Sequence, residues 1–224
     1  MSRCVVNVAT GRFVIGQSRL ASLLTVPLMK WSDCLPLHSP AHQEVPYAFK
    51  AWAMAEAGKK HTVLLWADAC IVPRDLTSLF ERIERDGYWM SRNGWMNSEW
   101  TADASYADLG ITREENARIP HVVATAFGIS LRHFKGVAFL AEYLRLAQTK
   151  AFCGPWWNSN RPEYHRWAAA GPCGGAMVKG HRHDQTAASV IAWKLGFELT
   201  DPPNWLAYKG GETAATVLIA DGAY

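Results

Sequence analysis

Apolar and polar positions along this chain follow two periods, and the change from one to the other marks its elements. Residues 4–8 are a short apolar-rich run that predicts a buried first strand, followed by a loop through Gly11 and Gly16. A helix over 17–24 would put Leu20, Leu23 and Leu24 on one face, whereas 31–46, with three prolines and two histidines, has no period and reads as loop. The alanine-rich stretch 47–57, halted at Gly58, predicts a helix that sets Lys50 and Met54 one turn apart. Residues 62–66 are the clearest buried strand. Pro73 or Asp75 then opens a helix that turns Leu76, Leu79, Phe80 and Ile83 inward and stops near Gly87.

Further along, 88–91 is another strand candidate, and strand, helix and strand in that order favour a parallel α/β layer over an all-α protein. The stretch 92–120 is polar and aromatic with no period beyond a short helix at 112–117. A strand over 122–129 and an amphipathic helix over 137–147 follow, and 152–175 is again irregular. His183 or Asp184 begins a helix whose apolar run is Ala187, Ala188, Val190, Ile191 and Leu195, closed by Gly196. Residues 197–199 suggest a last strand, and 216–219 could add an edge. No repeat and no long linker divides the chain. The reading is one α/β domain over 1–224, with 91–120 and 152–176 as binding loops or lids.

Composition narrows the class. Of 224 residues, 49% are hydrophobic and 19% charged, which supplies a core and argues against disorder. Eleven tryptophans exceed what such a core needs, so some are expected in a cleft, although core packing is the plainer account of any single one. No run approaches the about eighteen apolar residues of a membrane span, and no signal-peptide pattern opens the chain. Cys4, Cys34, Cys70, Cys153 and Cys173 are odd in number and scattered, which favours reduced thiols and a cytoplasmic setting; Cys153 and Cys173 pair only if the fold brings them together. The net charge of +3 includes no dense basic tract and gives nucleic-acid binding little support.

Two polar clusters carry candidate chemistry. Asp68 lies directly after the buried strand, the position from which an open α/β sheet presents ligand-handling residues. A carboxylate there suits Mg²⁺ or Mn²⁺, but Cys70, where a second ligand on the same side belongs, is a soft group poorly matched to either. The plainer account makes Asp68 a turn cap. The second cluster, His181-Arg182-His183-Asp184-Gln185, precedes a helix whose free N–H groups favour an anion, and Lys179, His181 and Arg182 would add donors. His181 and His183 are spaced to share one side of an extended segment, which leaves metal ligation open. The plain alternative is Asp184 as N-cap and His183 as a satisfied surface residue. Nucleophile-elbow, dinucleotide and phosphate-loop sequences are absent.

Taken in order, residues 4–20, Pro46-Tyr47-Ala48-Phe49-Lys50, residues 63–76 and His183-Asp184-Gln185 resemble the segments of a GT-A-type glycosyltransferase of the small bacterial and phage kind, distantly glycogenin-like. The resemblance implies a single-domain, Rossmann-like mixed sheet flanked by helices. It implies a donor nucleotide sugar, with UDP-sugars first to consider, and Mn²⁺ or Mg²⁺ held by Asp68 on the donor diphosphate. Asp184 and Gln185 would be catalytic residues near the transferred sugar. Arg19, Lys50, Trp66, Lys179 and Arg182 would lie on the donor side. Trp95, Glu99, Trp100, Asp103 and Trp156 would meet a carbohydrate or glycoconjugate acceptor, or a hydroxymethylated base of phage DNA. Asp184, Glu99 and Asp103 are the candidate bases. Two departures stand out: Cys70 replaces the usual second acid, and the tail lacks a terminal histidine ligand, which His181 or His183 would have to supply. Competing readings are a catalytically inactive carbohydrate- or nucleotide-binding module and a metal-dependent nuclease or phosphatase. The latter needs further carboxylates near Asp68, where only Asp75 follows.

Overall fold

Alternation along the first strand decides the layers. In β1 (Arg3–Ala9), Cys4, Val6 and Val8 enter one apolar core while Val5 enters another, because successive side chains leave opposite faces of a strand. The computed structural model describes residues 2–154 and 178–222. After β1 come α1 (Phe13–Leu23), β2 (Leu28–Ser32), α2 (Phe49–Gly58), β3 (Val63–Ala67), β4 (Ile71–Pro73), α3 (Thr77–Asp86) and β5 (Tyr88–Trp89). They are followed by β6 (Arg92–Met96), the single turns α4 (Tyr106–Leu109) and α5 (Arg113–Asn116), β7 (Pro120–Val122), β8 (Ala126–Ser130) and α6 (Phe134–Leu146). Beyond residue 177 lie α7 (Asp184–Lys194), β9 (Trp205–Tyr208) and β10 (Thr216–Ala220).

The main sheet runs β2-β1-β3-β8-β5, parallel across its first three strands and antiparallel at β8. Leu64 and Trp66 join the core under α2, α6 and α7, and Val63, Leu65 and Ala67 join the core under α1 and α3. The layers are therefore helix, sheet and helix, with β3 buried along its whole length. On α3, Leu79, Phe80 and Ile83 are fully covered, and Leu76 just before the helix nearly so, as the sequence period predicts. The helix ends at Gly87, whose φ of 87° lets its N–H reach the Ile83 carbonyl at 2.9 Å.

Several expectations need correction. The stretch expected as loop from residue 31 contains the end of β2, because Leu28–Ser32 pairs in parallel register with β1. The helix α1 begins four residues before position 17, and of the three leucines expected on its face only Leu20 is buried, Leu23 being 45% exposed. The sheet is mixed, as the resemblance implies, but β3 and β5 are not neighbours: β8 separates them and runs antiparallel to both. The strand expected over 122–129 is two, divided at 123–125. Residues 197–199 form no strand. Thr200 makes one isolated bridge to Ser91, and Phe197 stacks on Tyr88 with ring centroids 3.7 Å apart. The stretch 216–219 is no edge, since β10 is the middle strand of a second sheet, β4-β10-β9. Among the described residues no helix is long and apolar enough to cross a membrane.

Candidate active site

Two consecutive elements, α2 and β3, meet the distant α7 at one end of the main sheet. The fully buried β3 delivers Asp68 just past its last residue, and the turn is fixed from both sides. The Asp68 N–H donates to the Thr125 carbonyl at 2.8 Å, and the Ile71 N–H donates to the Asp68 carbonyl at 2.9 Å. Behind the turn, Asn7 donates to the Ala67 carbonyl at 2.6 Å and accepts from the Gln17 amide at 2.7 Å, both side chains being buried. The first turn of α2 supplies Lys50, and α7 opens with Asp184. The Lys50 Nζ lies 3.2 Å from Asp68 Oδ1, 3.0 Å from Asp184 Oδ2 and 2.9 Å from the Ala124 carbonyl. Three acceptors match the three hydrogens of an ammonium. Tyr143 of α6 donates to Asp184 Oδ2 at 3.2 Å, and the Trp66 indole donates to Asp68 Oδ1 at 2.7 Å. The rings of Tyr47 and Trp66 stand 5.2 and 5.3 Å from Nζ, within cation–π range.

Burial sets the electrostatics. It pulls the Lys50 ammonium down, but Asp184 and Asp68 outweigh it, so the pKa rises and the group stays charged. Burial raises the Asp184 carboxyl, against the opposing pull of Lys50, and raises the Tyr143 phenol, with Asp184 adding to the effect. Burial also lowers His181 to about 4 and His183 well below the ordinary histidine value, and it lowers the Arg182 guanidinium.

A pocket of about 140 Å³ opens onto this cluster, with Tyr47, Lys50, Asp68, Arg182, Asp184 and Gln185 on its walls. Larger hollows of about 370 and 410 Å³ lie elsewhere, but neither gathers acids around a buried lysine. Tyr47 and His183 also face the pocket, and both hold positive φ, 60° and 53°, which is uncommon without glycine. The Gln185 amide donates to the Val122 carbonyl, and the Arg182 guanidinium lies 4.3 Å over the Trp100 ring.

Of the other expected residues, Lys179 is paired with Glu99 at 2.8 Å and stands 3.4 Å over the centroid of Trp95, which is 44% exposed, while Trp100 is buried. These four form a neighbouring surface that reaches the pocket through Trp100 and Arg182. Asp103 is paired with Arg113, and Arg19 sits against Asp221 at 3.5 Å and the Cys70 carbonyl at 3.3 Å, so neither lines the pocket. Trp156 lies outside the described residues, as does nearly all of the expected loop 152–176. Sequence reasoning missed Asn7, Gln17 and Tyr143. The polar Asn7 inside the apolar run of β1 was the one available sign, and nothing marked Tyr143.

The metal set expected from sequence is not assembled. His181 uses both ring nitrogens on backbone, Nδ1 accepting from the Ala102 N–H at 3.2 Å and Nε2 donating to the Ala151 carbonyl at 2.9 Å. His183 Nδ1 donates to the Phe152 carbonyl at 2.9 Å. Asp68 Oδ1 is shared by Trp66 and the ammonium of Lys50, and position 70 is a thiol. Among the described residues no group of three or more His, Cys, Asp or Glu could hold a metal ion. Among the described residues, those around Asp68 do not fit Mn²⁺ or Mg²⁺.

No family model and no curated protein sequence matches the chain. Solved structures do. Mouse xyloside xylosyltransferase 1 aligns over 100% of this chain and 98% of its own, at 10% identity and a TM-score of 0.55. A glycosyltransferase involved in glycosylation of the major capsid of PBCV-1 aligns over 100% and 94%, at 9% identity and 0.52. This is the GT-A glycosyltransferase fold. The bifunctional glycosyltransferase WbbM shares it over 100% of this chain and 46% of its own, at 10% identity and 0.54. At such identities the likeness concerns the GT-A fold alone.

Proposed function

We propose that this chain is a glycosyltransferase that moves a sugar from a nucleoside-diphosphate donor to a hydroxyl acceptor. One observation carries the reading: Asp68 and Asp184, from elements more than a hundred residues apart, meet across Lys50 on the wall of one pocket. Asp184 and Gln185 are the groups for the transferred sugar, since both line that pocket at the start of α7. Arg182 on the same wall is the cation for the departing diphosphate. Fixed charge in a partly dry site stabilises a leaving anion more than water does, because it needs no reorganisation as the bond breaks. In the transfer the anomeric carbon–oxygen bond to the diphosphate breaks, its electron pair leaves with the diphosphate, and a bond to the acceptor oxygen forms as the hydroxyl proton passes to the base. Of the candidate bases, Asp184 is the one that lines the pocket, whereas Glu99 and Asp103 are held in ion pairs outside it.

The exposed Trp95, with Glu99 and Lys179 beside it, is the surface for a carbohydrate or glycoconjugate acceptor. The modest net charge of +3 ranks a hydroxymethylated DNA base below a sugar. Cys70 supports a second reading, a binding module that holds a nucleotide or sugar without turnover. One panel separates the two. UDP-, GDP-, CMP- and TDP-sugars are incubated with the protein and simple sugar acceptors, with and without Mn²⁺, and released nucleotide is measured. Multiple turnovers on one donor are expected. Binding without release would leave the module, and neither binding nor release from any donor would end both readings.

A further inference from the structure

We infer that the donor diphosphate binds this chain without a divalent cation, its charge being met by Arg182. The inference rests on the glycosyltransferase reading and departs from the metal dependence that the sequence resemblance implies. A cation that bridges a diphosphate to protein needs carboxylate oxygens free to turn toward it. Here the carboxylates at the pocket are already served by a cation belonging to the chain. The Lys50 Nζ is within 3.2 Å of Asp68 Oδ1 and 3.0 Å of Asp184 Oδ2, and its side chain is only 3% exposed. It is pinned by the Ala124 carbonyl and backed by the Trp66 and Tyr47 rings, so it cannot swing aside without stranding two carboxylates. A divalent ion at Asp68 would be placed within a few ångströms of that ammonium, and like charges there repel.

The residues around Asp68 carry the same message. Cys70 offers sulfur, and the chain returns beside it at Asp221, whose N–H donates to the Cys70 carbonyl at 2.9 Å. The Asp221 carboxylate is itself engaged by Lys209 at 3.0 Å and Arg19 at 3.5 Å. Asp68, Asp184 and Asp221 thus each have a lysine or arginine on them. Of the two cations on the pocket wall, Lys50 stands between Asp68 and Asp184, which leaves Arg182 as the one placed to meet an incoming diphosphate. A guanidinium matches phosphate oxygens in a forked geometry and keeps its charge when partly buried.

Calorimetric titration of UDP, GDP and TDP into the full chain, in EDTA and again in Mn²⁺, tests this. The nucleotide that binds should do so in EDTA with a Kd within about fivefold of that in Mn²⁺. A larger gain with Mn²⁺ would overturn the inference while leaving the transferase reading intact. No binding of any nucleotide in either condition would sink that reading and the inference with it. In Arg182→Gln, checked for an unchanged melting temperature, the Kd in EDTA should rise by about tenfold or more. An unchanged Kd in this variant would also overturn the assignment.

Discussion

Lys50 and Asp184 form a 3.0 Å ion pair with side chains only 3% and 5% exposed. Neither charge can be solvated if the other is removed. Lys50→Met should therefore lose about 3–5 kcal/mol of stability, the usual cost of stranding a buried charge. Lys50→Met combined with Asp184→Asn removes both charges and should recover most of that loss without recovering activity. Urea unfolding of the parent, both single variants and the double variant measures the coupling. Additive single effects would mean that the pair is not the unit described here.

Asp68 differs from Asp184 in exposure, its side chain being 32% accessible. In Asp68→Asn the amide oxygen can still accept the Trp66 indole hydrogen, so the fold should change by no more than about 1–1.5 kcal/mol. Turnover should fall much further, by about tenfold or more, because the charge that holds Lys50 in register is gone. Melting curves and initial rates on the donor found active give the two numbers. Wild-type rates in a folded Asp68→Asn protein would remove Asp68 from the site.

Three buried imidazoles set a pH dependence. Burial lowers His181 to about 4 and His121 to about 3, and His183 is well depressed by the same cause. In the unfolded chain these groups titrate near 6.5. Below that value the unfolded state binds protons that the folded state refuses, so stability is present above about 6.5 and is lost as pH falls towards the folded values. The structure gives the reason at His181, where protonation of Nδ1 would destroy its acceptance from the Ala102 N–H. At pH 5 the loss should be on the order of 2 kcal/mol each for His181 and His121, with His183 adding in the same direction. Carboxyls that the fold lowers, such as Glu84 beside Arg3, lose their contribution only at more acid pH, while the Asp184 carboxyl, raised by burial, works in the opposite direction. Denaturant unfolding at pH 7.5, 6 and 5 measures it, and a flat profile would contradict the burial seen here.

Much of this arrangement was legible in the chain. The unbroken apolar run of 63–67 identifies β3 because both of its faces are buried, and the period of 76–83 identifies α3 because it buries one well-defined face. Position 68 follows directly from the end of that strand, and 184 from the start of a helix. Other features depend on pairing that sequence does not display. Leu28–Ser32 has mixed burial and becomes a strand only through β1, and the Ile71–Pro73 strand exists because β10 returns from 150 residues later. The histidine cluster misled for a similar reason. Its spacing allowed metal ligation, and tertiary packing spent the ring nitrogens of His181 on the backbone of Ala102 and Ala151. Lys50 was visible as a lysine on an alanine-rich helix, but its place between two acids was not.

Trp95 provides a test of which side of the site the acceptor occupies. Its ring is 44% exposed, and the Lys179 ammonium, itself tied to Glu99, lies 3.4 Å from the ring centroid. An exposed ring adds little to the core, so Trp95→Ala should shift stability by less than about 1 kcal/mol. If sugars stack there, losing that face should remove about 1 kcal/mol of acceptor binding, which is a roughly fivefold rise in acceptor KM. Donor KM and kcat should hold, because Trp95 is not on the wall shared by Asp68, Asp184 and Arg182. Steady-state rates with each substrate varied in turn make the distinction. A rise in donor KM with acceptor KM unchanged would reverse the two sides and place the nucleotide, not the acceptor, against Trp95.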